Sequence, residues 1–184
     1  MRSSKNPRFK NWSYVLAFLT LIYSTLYITR PLCSFLKAAT PFSFLSNTLC
    51  IVLLVFLSMA IWIKGRITSM SSYCILGVIL LAYVYGVIII QLPEEKIHFI
   101  EYGILAWLVF KAMHVDIPKP AVYVYTFLLV SVFGWIDEGI QYLLPNRYYQ
   151  IADVILNSAS GGLGLLWIFI WNKEKDMKDN SIGY

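Results

Sequence analysis

The sequence predicts an all-α, polytopic integral membrane helical bundle of about six transmembrane helices, with both termini in the cytoplasm. Three observations carry that prediction. Of the 184 residues, 59% are apolar and only 14% are charged, with mean hydropathy +0.66, whereas soluble domains run at about 45–50% apolar and about 25% charged. Uncharged runs occur at Trp12–Thr29, Ala38–Ile63, Ile67–Pro93 and Val154–Asn172, and a hydrocarbon core of about 30 Å needs about 20 helical residues. The basic residues, finally, divide unevenly between alternate connecting segments. A soluble domain of roughly 150 residues buries only about 70% of what its unfolded chain exposes, so this composition excludes a soluble enzyme, a disordered protein and a coiled coil.

Taken in order, the spans fall at about 12–29, 45–63, 72–92, 96–114, 120–143 and 152–171. All seven prolines lie between these spans or, as Pro120 does, at the first residue of one, as expected where proline punctuates helix ends. The fourth and fifth spans carry charges and score worse by hydropathy. Between the first two, Leu32, Phe35, Leu36 and Ala39 recur at i, i+3, i+4, i+7 while Ser34, Lys37 and Thr40 face away. That pattern predicts an amphipathic helix over 31–40 lying in the membrane interface. The chain thus reads as one structural domain with a two-span N-terminal region (1–71), a membrane domain (72–172) and a solvated cytoplasmic tail (173–184).

With six spans, one side holds eleven basic residues: Arg2, Lys5, Arg8, Lys10, Lys64, Arg66, Lys111, Lys119, Lys173, Lys175 and Lys178. The other side holds only Arg30, Lys37, Lys96 and Arg147. The positive-inside rule puts the richer side in the cytoplasm. The net charge of +5 is accounted for by topology and by anionic lipid headgroups, and no nucleic-acid partner is implied, because no basic stripe interleaves with aromatics. Cys33, Cys50 and Cys74 have neither disulfide nor ligand spacing. The basic start and first apolar run lack a small-x-small cleavage site, which favours an uncleaved first span. Trp12, Trp62, Tyr142, Tyr148, Tyr149 and Trp171 fit the interfacial aromatic belts.

Polar residues gather at one end of the last three spans. His98, Glu101, Tyr102 and Leu105 share one helical face by their i, i+3, i+4, i+7 spacing. Asp137 and Glu138 precede Gln141 by four and three residues, Arg147 lies in the turn, and Asp153 is followed by Asn157, Gly161 and Gly164. The start of span four, the end of span five and the start of span six fall on the side opposite the cytoplasm. His98, Glu101, Asp137, Glu138, Gln141, Arg147, Asp153 and Asn157 are therefore expected to line one pocket there, with small residues of span six admitting a neighbouring helix. Each also has a structural reading: His98 as an interfacial helix start, Glu101 as a protonated hydrogen-bonded acid, and Asp137–Glu138 as a solvated helix end. Arg147 can serve as a counter-ion or grip a carboxylate or phosphate, and Asp153 suits a helix N-cap.

The series Lys96-x-His98-Phe99-x-Glu101-Tyr102, Asp137-Glu138-x-x-Gln141, Pro145-x-Arg147 and Asp153-x-x-x-Asn157-x-x-x-Gly161 resembles the VanZ-like family of bacterial membrane proteins over roughly residues 72–171. Spans one and two carry none of the motif. Asn146 stands where the family often has glycine in a P-G-R turn, and Gly139-Ile140 replaces a commoner Ile-His pair, which weighs against mechanisms needing two histidines. The resemblance implies a multi-pass protein of the cell membrane and a theme, since the family is named for a protein linked to teicoplanin resistance and glycopeptides act on peptidoglycan precursors outside the membrane.

Three functions compete. The first is a non-enzymatic envelope protein binding a membrane lipid, a lipid-linked precursor or a glycopeptide at the outer pocket through Gln141, Arg147, Asp153 and Asn157. The second is a membrane-embedded enzyme acting on a lipid-linked envelope substrate, with His98 as acid or base beside Glu101, Asp137 or Glu138. In that version the carboxylates and His98 form an oxygen-rich divalent site that suits zinc poorly; no cofactor is otherwise indicated. The third, a proton-coupled transporter relaying through Glu101, ranks last because the polar groups cluster at one end rather than at the midplane.

Overall fold

A computed structural model describes residues 6–182 except 66, 68, 91 and 146. The expectations placed on Arg2, Lys5, Arg66 and Asn146, and on the side chains of Trp62, Lys64 and Glu94, lie outside that description. The described chain is all-helical: α1 (Pro7–Ala39), α2 (Phe42–Gly65), α3 (Met70–Ile89), α4 (Pro93–Met113), α5 (Ala121–Tyr142) and α6 (Ile151–Ile182). All but α4 are long and apolar enough to cross a membrane. This is a membrane protein built of apolar helices. Pro7 and Pro93 open α1 and α4, where a missing N–H leaves no intrahelical bond unmade.

Three expectations about boundaries change. No separate helix forms over 31–40, because α1 runs unbroken to Ala39 with Pro31 inside it. Proline removes only one intrahelical bond, and in this turn hydroxyls supplement the backbone: Thr29 and Ser34 donate to the carbonyls of Thr25 and Arg30 at 2.8 and 2.9 Å. The segment after 173 is helical as far as Ile182 rather than a loose tail. Its first turn is anchored, with Glu174 buried and Lys173 donating to Ser69 Oγ at 3.0 Å and to Ser71 Oγ. Asp153 is not an N-cap, since α6 starts two residues before it; a carboxylate in the first turn still complements the helix dipole.

Residues fall into two compact units. One comprises Phe35–Lys96 and α6 beyond Leu165, and its α2 and α3 leave many apolar side chains outward, among them Phe44, Phe56, Leu81 and Tyr85. A water-facing surface that apolar would be a liability, but hydrocarbon solvates it. Lys96 is buried here and donates to Asn47 Oδ1.

The other unit comprises α1 to Ser34 and residues 97–165. α4 packs one broad face inward: Phe99, Tyr102, Leu105, Ala106, Val109, Phe110 and Ala112 are buried, while Ile104 and Trp107 are exposed. Its charged residues that spoil the hydropathy divide between the helix ends and the polar cluster described below. α5 contributes Val122, Thr126, Val130, Gly134 and Glu138 at intervals of four, a stripe down one face. α1 adds Val15, Leu19, Ile22 and Leu26, and Tyr23 donates to the Phe133 carbonyl at 3.0 Å.

Glycines set the closest approaches. A Cβ at Gly164 of α6 would lie 2.9 Å from Gly103 Cα of α4, and one at Gly161 would lie 2.6 Å from Val130 Cγ1 of α5. The first obstacle is backbone, which cannot rotate away as a side chain can. Small residues at such crossings let helices without a hydrophobic drive between them gain dispersion contacts. Gly164→Ala should accordingly destabilise the fold by about 1–3 kcal/mol through overpacking. Gly139→Ala, with nothing within 4 Å of the added methyl, should be neutral or stabilise by about 0.5–1 kcal/mol. Thermal unfolding of the two variants in the same detergent checks the contrast.

Candidate functional site

The polar residues of the last three helices meet at one end of this unit, as their spacing predicts. α4 and α6 run in the same direction there and α5 against them: Tyr102 meets Asp137 while Met113 meets Thr126, and Gly134 lies against Asn157 while Gly161 lies against Val130. Asp137, Glu138, Gln141, Asp153 and Asn157 are all buried. The expectation of a solvated helix end at Asp137–Glu138 is therefore not met.

Asp137 is the hub. Its Oδ2 accepts from Tyr102 OH at 3.1 Å and from Asn157 Nδ2 at 3.4 Å, so one carboxylate oxygen joins α4, α5 and α6. Glu138 turns the other way and accepts at 2.9 Å from the backbone N–H of Gln150, the residue just ahead of α6. Two carboxylates at the C-terminus of α5 oppose its own dipole, but Glu138 sits at the N-terminus of α6, whose dipole favours it. Asp153 lies beyond, subject to the charges of His98, Arg147 and Arg30.

His98 and Glu101 stand one helical turn apart, with His98 Nδ1 3.4 Å from Glu101 Oε2. The His98 ring meets Tyr102 edge-on at 5.9 Å between centroids. His98 is nearly enclosed, while the Glu101 side chain keeps 25% of its surface exposed. Arg147, in the α5–α6 connection, donates to Gln141 Oε1 at 2.6 Å and reaches the Leu26 carbonyl of α1 at 3.5 Å.

Several polar atoms retain hydrogen-bonding capacity despite burial: Asp137 Oδ1, Glu138 Oε1, Gln141 Nε2 and Asn157 Oδ1 have no partner of good geometry, nor does His98 Nδ1. Most buried polar groups in native proteins are satisfied. Their gathering at one helix end marks the region as more than packing. The divalent site expected from His98, Glu101 and an Asp137 or Glu138 carboxylate is not assembled: among the described residues no three His, Cys, Asp or Glu side chains converge to hold a metal ion. One oxygen of each carboxylate is already spent on Tyr102 and Asn157 or on the Gln150 N–H.

A family model described as VanZ/LLP1 matches residues 44–172. The chain belongs to the VanZ/LLP1 family. No curated protein and no solved structure matches the chain. The matched stretch starts before the motif-bearing region and takes in most of α2, and every candidate residue from His98 to Asn157 lies within it. Outside it, α1 supplies residues that the sequence did not mark: Tyr23, and the Leu26 carbonyl that Arg147 reaches. Tyr102 was visible as a neighbour on the His98–Glu101 face, but its bond to Asp137 spans 35 positions and leaves no local trace.

Tyr102→Phe removes one of the two donors to Asp137 Oδ2 while keeping ring volume. It should destabilise the protein by about 1–2 kcal/mol. A double-mutant cycle with Asn157→Ala, read by thermal unfolding, should show that the two losses are not additive because both act on one carboxylate.

Proposed function

We propose that this VanZ-like protein resides in the bacterial cell membrane and binds an envelope lipid, lipid-linked precursor or glycopeptide. The ligand would engage the polar end of α4, α5 and α6 on the extracytoplasmic side, with teicoplanin-type glycopeptide resistance as the physiological setting. The observation that carries the reading is the gathering of buried carboxylates and carboxamides on Asp137, Glu138, Gln141 and Asn157, each with a polar atom that lacks a hydrogen bond of good geometry. A ligand rich in hydroxyls and amides matches that mixture of two carboxylates and two carboxamides. Glu101 and Arg147, the less enclosed members, are the first contacts available to it. The outer orientation is supported by the basic residues, which crowd the connections at the other end of these helices, such as Lys111 and Lys119.

The test is titration of the full-length protein in detergent with teicoplanin and, separately, with a lipid-linked peptidoglycan precursor. At least one should bind, and His98→Ala and Glu101→Gln should each weaken it about tenfold, the loss of one charge-assisted contact. Equal affinities for the parent and both variants, or no binding of either probe, would count against the reading.

A second reading, a membrane-embedded enzyme acting on a lipid-linked envelope substrate, is favoured by one observation. His98 stands beside Glu101 in the arrangement that orients an imidazole for proton transfer. Under it, Glu101→Gln should abolish turnover of the lipid-linked precursor while leaving its binding largely intact.

A further inference from the structure

A cavity of about 290 Å³ opens beside the polar cluster, between α1 and the α5–α6 connection. It is lined by Leu26, Tyr27, Arg30, Pro31, Ser34, Leu144, Pro145 and Arg147. Two guanidinium groups share it, and no carboxylate lines it. Arg147 donates to neutral acceptors, Gln141 Oε1 and the Leu26 carbonyl. Asp153, which feels the charge of both arginines, is buried and does not line the cavity. Two arginines lining one small space suit an oxyanion with several equivalent oxygens, which is phosphate chemistry more than carboxylate chemistry.

The rest of the lining is apolar, and the surface beyond the mouth is more so. Ile28, Leu32 and Leu143 are half or more exposed next to Tyr27, Pro31 and Leu144. The volume falls at the lower edge of the ~300–1,000 Å³ of ligand pockets, room for a headgroup and not for a whole lipid. Acyl chains would continue outward over the exposed leucines and isoleucine, in hydrocarbon.

We propose that the Arg30–Arg147 cavity binds the phosphate group of an anionic amphiphile, with the chains lying on the outer surface of α1 and the α5–α6 connection. This rests on the reading that the same end of the protein receives an envelope ligand, and it specifies that ligand's class and grip. It also gives α1, which lies outside the family match, a part in recognition. The turn at Pro31 contributes through geometry: proline leaves the Tyr27 carbonyl without its usual i+4 donor in the same wall that Arg147 approaches.

The experiment uses the full-length protein in dodecyl maltoside, which has no phosphate, and three probes: dioctanoyl phosphatidic acid, dioctanoylglycerol and inorganic phosphate. Affinities are read by titration calorimetry. Dioctanoyl phosphatidic acid should bind at least about tenfold more tightly than either other probe. Arg30→Gln and Arg147→Lys, the latter keeping charge but losing the fork, should each weaken it about tenfold. Leu144→Trp, which fills the cavity while keeping both arginines in the chain, should block it while leaving the thermal midpoint near that of the parent. Equal binding of dioctanoylglycerol would reduce the site to apolar contact and overturn the proposal. Equal binding of inorganic phosphate would make it a free-anion site and overturn the amphiphile.

Two further variants separate this proposal from the broader one. The arginine variants should weaken phosphatidic acid binding more than His98→Ala and Glu101→Gln, whose residues lie outside the lining and would meet headgroup groups that phosphatidic acid lacks. If those two abolish it and the arginine variants do not, the acid cluster is the site and the cavity proposal fails. If teicoplanin and the lipid-linked precursor fail to bind while arginine-dependent phosphatidic acid binding persists, the broader reading fails alone.

Discussion

One oxygen of Asp137 holds the functional end of this protein in register. Tyr102 from α4 and Asn157 from α6 both donate to it, so one atom joins all three helices. A carboxylate buried in an apolar bundle is expensive unless it is hydrogen-bonded, so the three helices can adopt this arrangement only with those donors in place. The glycines make the bond possible. Gly134 lets Asn157 lie against α5, and Gly161 and Gly164 let α6 close on α5 and α4. Packing and polar chemistry are thus a single constraint: the helices approach because the side chains are small, and they stop where the hydrogen bonds form.

The remaining polar groups follow from that register. With Asp137 turned toward α4 and α6, its neighbour Glu138 must turn elsewhere, and it meets the N–H ahead of α6. Gln141, one turn on, faces the connecting segment and receives Arg147. Arg147 then leans on the Leu26 carbonyl, which draws α1 into the same end of the unit and forms the wall of the arginine-lined cavity. A chain of contacts therefore leads from the deepest carboxylate to the open edge of the site, and each link leaves atoms with unused hydrogen-bonding capacity. Such atoms favour a polar ligand over a purely structural role.

Much of this was legible beforehand. Helices α1, α2, α3 and α6 announce themselves as uncharged runs, and the helical spacing of His98, Glu101 and Tyr102 predicts their shared face. The short connecting loop predicts that spans five and six are antiparallel neighbours, as α5 and α6 are. The solvated reading of Asp137–Glu138 failed because hydropathy treats a charge as exposed, whereas here two hydrogen-bond donors and a helix N-terminus accompany it inward. Pro31 misled for a related reason: proline predicts a break, yet a helix loses only one bond to it, and nearby hydroxyls supplement that turn. Residues beyond Glu174 are largely exposed, as their composition suggests, but Lys173 bonds to Ser69 and Ser71 about a hundred positions away and Glu174 is buried.

The sequence by itself determined the solvent, the helical class, the approximate spans and the end at which chemistry collects, because hydropathy and a period of 3.6 are local properties of the chain. It also determined the family, since the ordered series from His98 to Gly161 survives without any structure. Only the tertiary structure decided which carboxylate is the hub, that the expected metal ligands do not converge, and that Arg30 of α1 faces the same cavity as Arg147. Those outcomes depend on distances between residues far apart in the chain, and such distances are set by how closely the helices pack.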